Sequence, residues 1–134
     1  MKIKFLFVIF VLTSLLLGFS SCSKNTLEDK LIGDWEQKSV GQIPDNVNVV
    51  WTFTASHSLY RVTQWPDSSK IDTAQWSVHS NFIKKNTLLI ENLDEFNNGK
   101  YVIHRLTEFL ELQRTEFPDG SSGGAFKWHE FEKK

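Results

Sequence analysis

Cysteine is almost missing from this chain: Cys22 is the only one in 134 residues, so no disulfide can form within it. Long helical patterns are also missing, and with them the crossover connections that a parallel sheet requires. The histidines at 57, 79, 104 and 129 fall in separate segments, too dispersed for the paired spacing of a metal centre. There is no Gly-x-Ser-x-Gly nucleophile elbow. The glycine-rich run at 120–124 leads into a strand pattern, so no helix N-terminus follows it to hold a phosphate. Asp94-Glu95 and the Glu108, Glu111 pair read as solvated charges at strand ends. No residue is given a catalytic role, no metal or cofactor is expected, and the chain reads as a non-enzyme.

An excess of basic charge is missing too. The whole chain has 15 basic and 16 acidic residues. Without Lys2 and Lys4, both in the first segment, 13 basic residues face 16 acidic ones, a net charge of −3 that does not suit a nucleic-acid partner. Those two lysines precede an apolar run over 5–17 and the small residues around Gly18, Ser20 and Ser21. A charged start, an apolar middle and a small-residue end make residues 1–21 a signal peptide. The apolar run is shorter than the roughly 20 residues that a membrane-spanning helix needs.

Cys22 follows directly, and its position resembles the lipobox cysteine of bacterial lipoproteins, with Phe19 where that box usually has leucine. The resemblance implies a diacylglyceryl group on the sulfur and an acyl chain, such as palmitate, on the freed amine. Each buried methylene contributes about 0.8 kcal/mol, so two or three chains anchor firmly. Residues 22–30 would then be the lipidated cysteine, a polar tether and a short helix capped by Thr26. The lipoprotein resemblance implies the cell envelope, and because Cys22 is not directly followed by the acidic run that resembles a surface-export signal of such lipoproteins, it implies an outer-membrane lipoprotein facing the periplasm.

From residue 31 to 134 the pattern is that of strands. Runs at 33–40, 47–54, 59–65, 71–79, 87–92, 100–106, 109–115 and 125–131 are separated by turn residues such as Gly41, Pro44, Pro66 and Pro118. Val47, Val49, Trp51 and Phe53 alternate on one face, as do Ala74, Trp76 and Val78. Tyr60 and Val62 are expected to continue the inward set, with Leu110, Leu112, Phe126 and Trp128. Ser56-His57 leaves the turn type at one hairpin tip open. Eight consecutive antiparallel runs predict an all-β, up-and-down barrel of eight strands, preceded by a short N-terminal helix.

Gly33-Asp34-Trp35 at the mouth of this chain resembles the Gly-x-Trp signature of lipocalins. Together with Trp51, Trp76 and Trp128 in later strands, and Tyr101-x-Ile103-x-x-Leu106-Thr107 before Leu110-x-Leu112, it resembles the lipocalin-like lipoprotein domains of the Bacteroidetes. The resemblance implies a binding protein that captures a small hydrophobic ligand in its barrel. Trp35, Trp51, Phe53, Tyr60, Trp76 and Trp128 are the candidate lining; the same set could instead fill the interior as core. In that case the chain would be a non-enzymatic interaction protein, an inhibitor or accessory subunit using loops and strand edges. Trp65, on the opposite face beside Pro66, is the candidate exposed contact.

Overall fold

The computed structural model describes residues 26–38, 43–80, 83, 85–123 and 127–134. The expected signal segment, Cys22 and Phe126 lie outside them. Helix α1 (residues 26–31) places Leu27 and Leu31, four residues apart, on one buried face, while Thr26, Asp29 and Lys30 face solvent. Its last turn closes where Ile32 N donates to Glu28 O at 3.0 Å. Gly33 then enters the first strand with φ at +132°, a conformation that a side chain would strain. A β-carbon at Gly33 would meet only Lys133 Cε, at 3.6 Å, so backbone conformation and not crowding calls for glycine there.

The strands are β1 (Gly33–Gln37), β2 (Asn48–Phe53), β3 (Ser58–Gln64), β4 (Ser69–His79), β5 (Thr87–Glu91), β6 (Gly99–Leu106), β7 (Phe109–Glu116) and β8 (Trp128–Lys133). Each pairs antiparallel with the next, and β8 returns to β1 with Lys133 opposite Trp35. The result is the closed eight-stranded barrel with one short leading helix that the alternation predicts. β4 begins at Ser69, earlier than expected, because it stays paired with β3 as far as Gln64. β8 runs on to Lys133 because its last residues supply the pairing that closes the sheet onto β1.

The hairpin between β2 and β3 turns through His57 at φ +62°, a left-handed position more often given to glycine or asparagine. Backbone and side-chain bonds together hold it there. His57 N donates to Thr54 O at 3.0 Å, and Thr54 Oγ1 accepts from Ser58 N at 3.1 Å. The imidazole lies 5.2 Å from the Trp76 ring and 3.4 Å from Glu28 Oε1 of α1.

The two ends of the barrel differ in their filling. At the α1 end, Trp35, Phe53, Leu59, Trp76 and Leu110 meet Leu27 and Leu31, all at most 7% exposed. Phe53 and Trp76 pack edge to face with centroids 5.5 Å apart. Trp51 and Phe131, 5.2 Å apart, form the next level. Beyond them, toward the opposite end, the inward residues become polar and cationic.

Candidate ligand-binding site

Strand β3 turns Leu59, Arg61 and Thr63 to the interior, so a guanidinium stands where simple alternation would put an apolar side chain. The register makes this tenable by setting Asp72 of β4 opposite Arg61. Arg61 Nη2 and Nε donate to Asp72 Oδ2 at 2.7 and 3.2 Å, and Nη1 donates to Asp94 Oδ2 at 2.7 Å. Asp94 lies in the β5–β6 loop, and its Oδ1 accepts from the N–H groups of Phe96 at 2.9 Å and Asn97 at 2.8 Å. One arginine thus ties two strands and a loop together. The Asp72 carboxyl is held below its usual range first by the Lys70 ammonium, 2.8 Å away, and then by Arg61. For Asp94, burial is the largest influence and opposes ionisation, yet Asn97 and Arg61 together outweigh it and hold the carboxyl low.

Strand β7 repeats the device. Leu110 and Leu112 point inward, and the next position in that alternation is Arg114, only 8% exposed. Its Nη1 donates to Phe96 O at 2.7 Å, and its guanidinium carbon lies 4.6 Å from the Phe117 ring centroid. No described carboxylate pairs with it, and its Nε is buried without a partner among the described residues. Nearby Tyr101 donates its hydroxyl to Asn97 O at 2.8 Å, and burial pushes its pKa up, so it stays protonated.

On the third wall Lys127, His129 and Phe131 face inward. Trp51 Nε1, which can only donate, reaches Gln37 Oε1 at 3.1 Å; the amide nitrogen of Gln37 is thereby turned to His129 Nδ1 at 3.2 Å. Nδ1 therefore accepts, and the ring proton belongs on Nε2, which is buried with no partner among the described residues. Burial is the main reason that the His129 pKa falls from 6.5 to about 3, with the positive charges of Lys127, Arg114 and Arg61 acting in the same direction. Burial also lowers the Lys127 pKa, aided by Arg114.

The His129 shift has a measurable consequence. The unfolded chain takes up a proton on this ring near pH 6.5, the folded chain only near 3, so between those values the unfolded state holds more protons. Stability is full above pH 6.5 and falls as the pH is lowered through that window. His129→Gln is expected to remove the acid-side slope in urea denaturation followed from pH 7 to 4; an unchanged slope would place the ring in water.

These groups enclose a cavity of about 660 Å³, open to solvent, with Ile43, Val49 and Trp51 as its apolar wall. Of the aromatic residues expected to line a pocket, Trp51 does so. Trp35, Phe53 and Trp76 are buried core at or near the filled end. Tyr60 and Trp128 are corrections. Tyr60 is 39% exposed on the outer face, because β3 points Leu59 and Arg61 inward. Trp128 is half-buried on the outside, stacked on His104 with centroids 4.8 Å apart, because β8 points Lys127 and His129 inward. Of the four dispersed histidines, His129 is buried, only 2% exposed. Trp65 is 39% exposed because it lies just beyond the end of β3, and not because of the strand face expected for it, since the inward set is Leu59, Arg61 and Thr63.

The polar members of the site, Gln37, Arg61, Arg114, Lys127 and His129, were not among the sequence candidates. Arg114 carried a signal, since Leu110-x-Leu112-x-Arg114 continues an inward alternation. Among the described residues, no group of three or more His, Cys, Asp or Glu side chains is gathered in a way that could hold a metal ion. Neither a protein-family model nor a curated protein matches this chain.

Proposed function

We propose that the chain is a lipocalin-like binding protein that captures a small ligand in the open end of its barrel, does no chemistry on it, and is anchored to the membrane through Cys22. The observation that carries this reading is the cavity. Its 660 Å³ falls within the range of about 300–1,000 Å³ typical of small-molecule sites. An apolar wall at Trp51, Val49 and Ile43 faces a few fixed polar groups, the combination that both holds and orients a ligand. The packed α1 end limits its depth, which favours a compact ligand or one whose polar end stays near the mouth.

Titration of the soluble domain beginning at Ser23 with fatty acids, retinoids and haem-like compounds tests the reading. A ligand filling the cavity beside Trp51 replaces nearby solvent and changes the polarity around this buried indole, so tryptophan emission is expected to shift saturably, with a negative heat-capacity change. Trp51→Ala should weaken that response in a domain that remains folded. A folded domain with no saturable response to the whole panel would favour the second reading, an interaction protein. What supports that alternative is the outer face, where Ile71 is 65% and Tyr60 39% exposed.

The anchor has its own test. Acyl chains on Cys22 would be the strong membrane attachment of a periplasm-facing, outer-membrane lipoprotein, so Cys22→Ala is expected to leave unprocessed or soluble protein. A processed Cys22→Ala form that still fractionates with membranes would refute lipidation.

A further inference from the structure

Three side-chain cations face or border the cavity, Arg61, Arg114 and Lys127, but the nearby carboxylates Asp72 and Asp94 are both engaged by Arg61. That leaves Arg114, 8% exposed, and the half-buried Lys127 without an acidic partner among the described residues. Taking a cation even partly out of water without a counter-charge is unfavourable, so two such groups on one cavity need a reason. Two buried donors there also lack partners, Arg114 Nε and His129 Nε2. A buried N–H left unmade is costly, and here the orphaned donors and the uncompensated charge lie on the adjacent strands β7 and β8 and the residue that leads into β8. An anion in the cavity beside them would supply the missing counter-charge.

We infer that Arg114, Lys127 and His129 form an anion subsite that receives the carboxylate or phosphate end of a small amphiphile, whose apolar part lies against Trp51, Val49 and Ile43. This deepens the binding-barrel reading and rests on it. Arg114 is the principal group. Its Nη1 is held by Phe96 O and its plane by Phe117, so the guanidinium borders the cavity in a fixed orientation, as charge-assisted recognition of a planar or tetrahedral oxyanion requires. Lys127 adds a point charge, and the neutral imidazole of His129 adds one directed N–H. An amine-bearing analogue would meet repulsion from Arg114 and Lys127.

The test is calorimetric titration of the full chain with hexanoate, hexyl phosphate, hexanol and hexylamine, which share an apolar part and differ in charge. The two anions are expected to bind on the order of ten- to a hundredfold tighter than hexanol, with hexylamine weakest. Whichever anion is tighter identifies the head group. Arg114→Gln should bring the hexanoate-to-hexanol ratio toward one. Lys127→Gln, at a half-buried position with no described partner, should reduce the ratio in a chain that folds normally even if Arg114→Gln does not. Equal affinity of the unmodified chain for hexanoate and hexanol, or a ratio untouched by either substitution, overturns the anion subsite while leaving the binding barrel standing. Binding of none of the four compounds overturns both.

Discussion

Replacing Trp35 by alanine is expected to lower the unfolding free energy by about 3–5 kcal/mol, the range for truncating a fully buried aromatic. The side chain is 0% exposed, and its indole Nε1 donates to Leu31 O at 2.7 Å, fixing α1 across the end of the barrel. It also sits at the seam, opposite Trp51 of β2 on one side and Lys133 of β8 on the other, with the Lys133 ammonium 5.3 Å from its ring centroid. Truncation thus opens a cavity where helix, first strand and last strand meet. Urea denaturation should show the midpoint falling with an unchanged slope. Trp35→Phe keeps most of the apolar area but loses the bond to Leu31 O, and is expected to cost about 1 kcal/mol for that bond plus a smaller packing loss. A change below about 1 kcal/mol for Trp35→Ala would put the side chain at the surface and break the packed-end account.

Arg61→Met is expected to destabilise by about 2 kcal/mol, toward the lower end of what breaking partly buried ion pairs costs, between the exposed and the fully buried cases. Its side chain is 16% exposed, and both acidic partners lose a guanidinium contact at 2.7 Å. The lower end applies because Lys70 still holds Asp72 and Asn97 still holds Asp94. Adding Asp94→Asn to Arg61→Met should recover part of the loss, since the charge left behind is then removed; strict additivity would deny the coupling. Acid supplies an independent check. Both carboxyls ionise below the usual 3.8 in the folded chain, so the stability they contribute is present above that pH and lost as the pH falls through their lowered values. The gap between the parent chain and Arg61→Met should therefore narrow below about pH 4.

The barrel was legible because period two persists wherever one face meets apolar core. Val49, Trp51 and Phe53, then Ala74, Trp76 and Val78, point inward as alternation requires. It failed as a guide on β3 and β8, where the inward face is polar. Tyr60 and Val62 look like the buried pair, and a one-residue change of phase exchanges the faces of a strand. Arg61 becomes an acceptable interior residue only once Asp72 is known to lie across from it, and that pairing comes from the register of two strands, not from either strand alone. The same holds for Lys127 and His129 against Trp128. His129 is accommodated through Gln37 and Trp51, which lie far from it in sequence. The filled end is thus readable from hydrophobicity, while the open end depends on cross-strand polar partners that hydrophobicity does not reveal.

The indole N–H signals of the five tryptophans in a nuclear magnetic resonance titration test the central claim most directly. Trp51 donates to Gln37 at the cavity wall, Trp35 to Leu31 at the packed end, and Trp76 to Ser58 O. With a ligand that saturates tryptophan emission, the Trp51 signal should move to a plateau at the same ligand concentration while those of Trp35 and Trp76 stay in place. Saturation with Trp51 unmoved, and with the outer-face Trp128 shifting instead, would contradict capture inside the barrel.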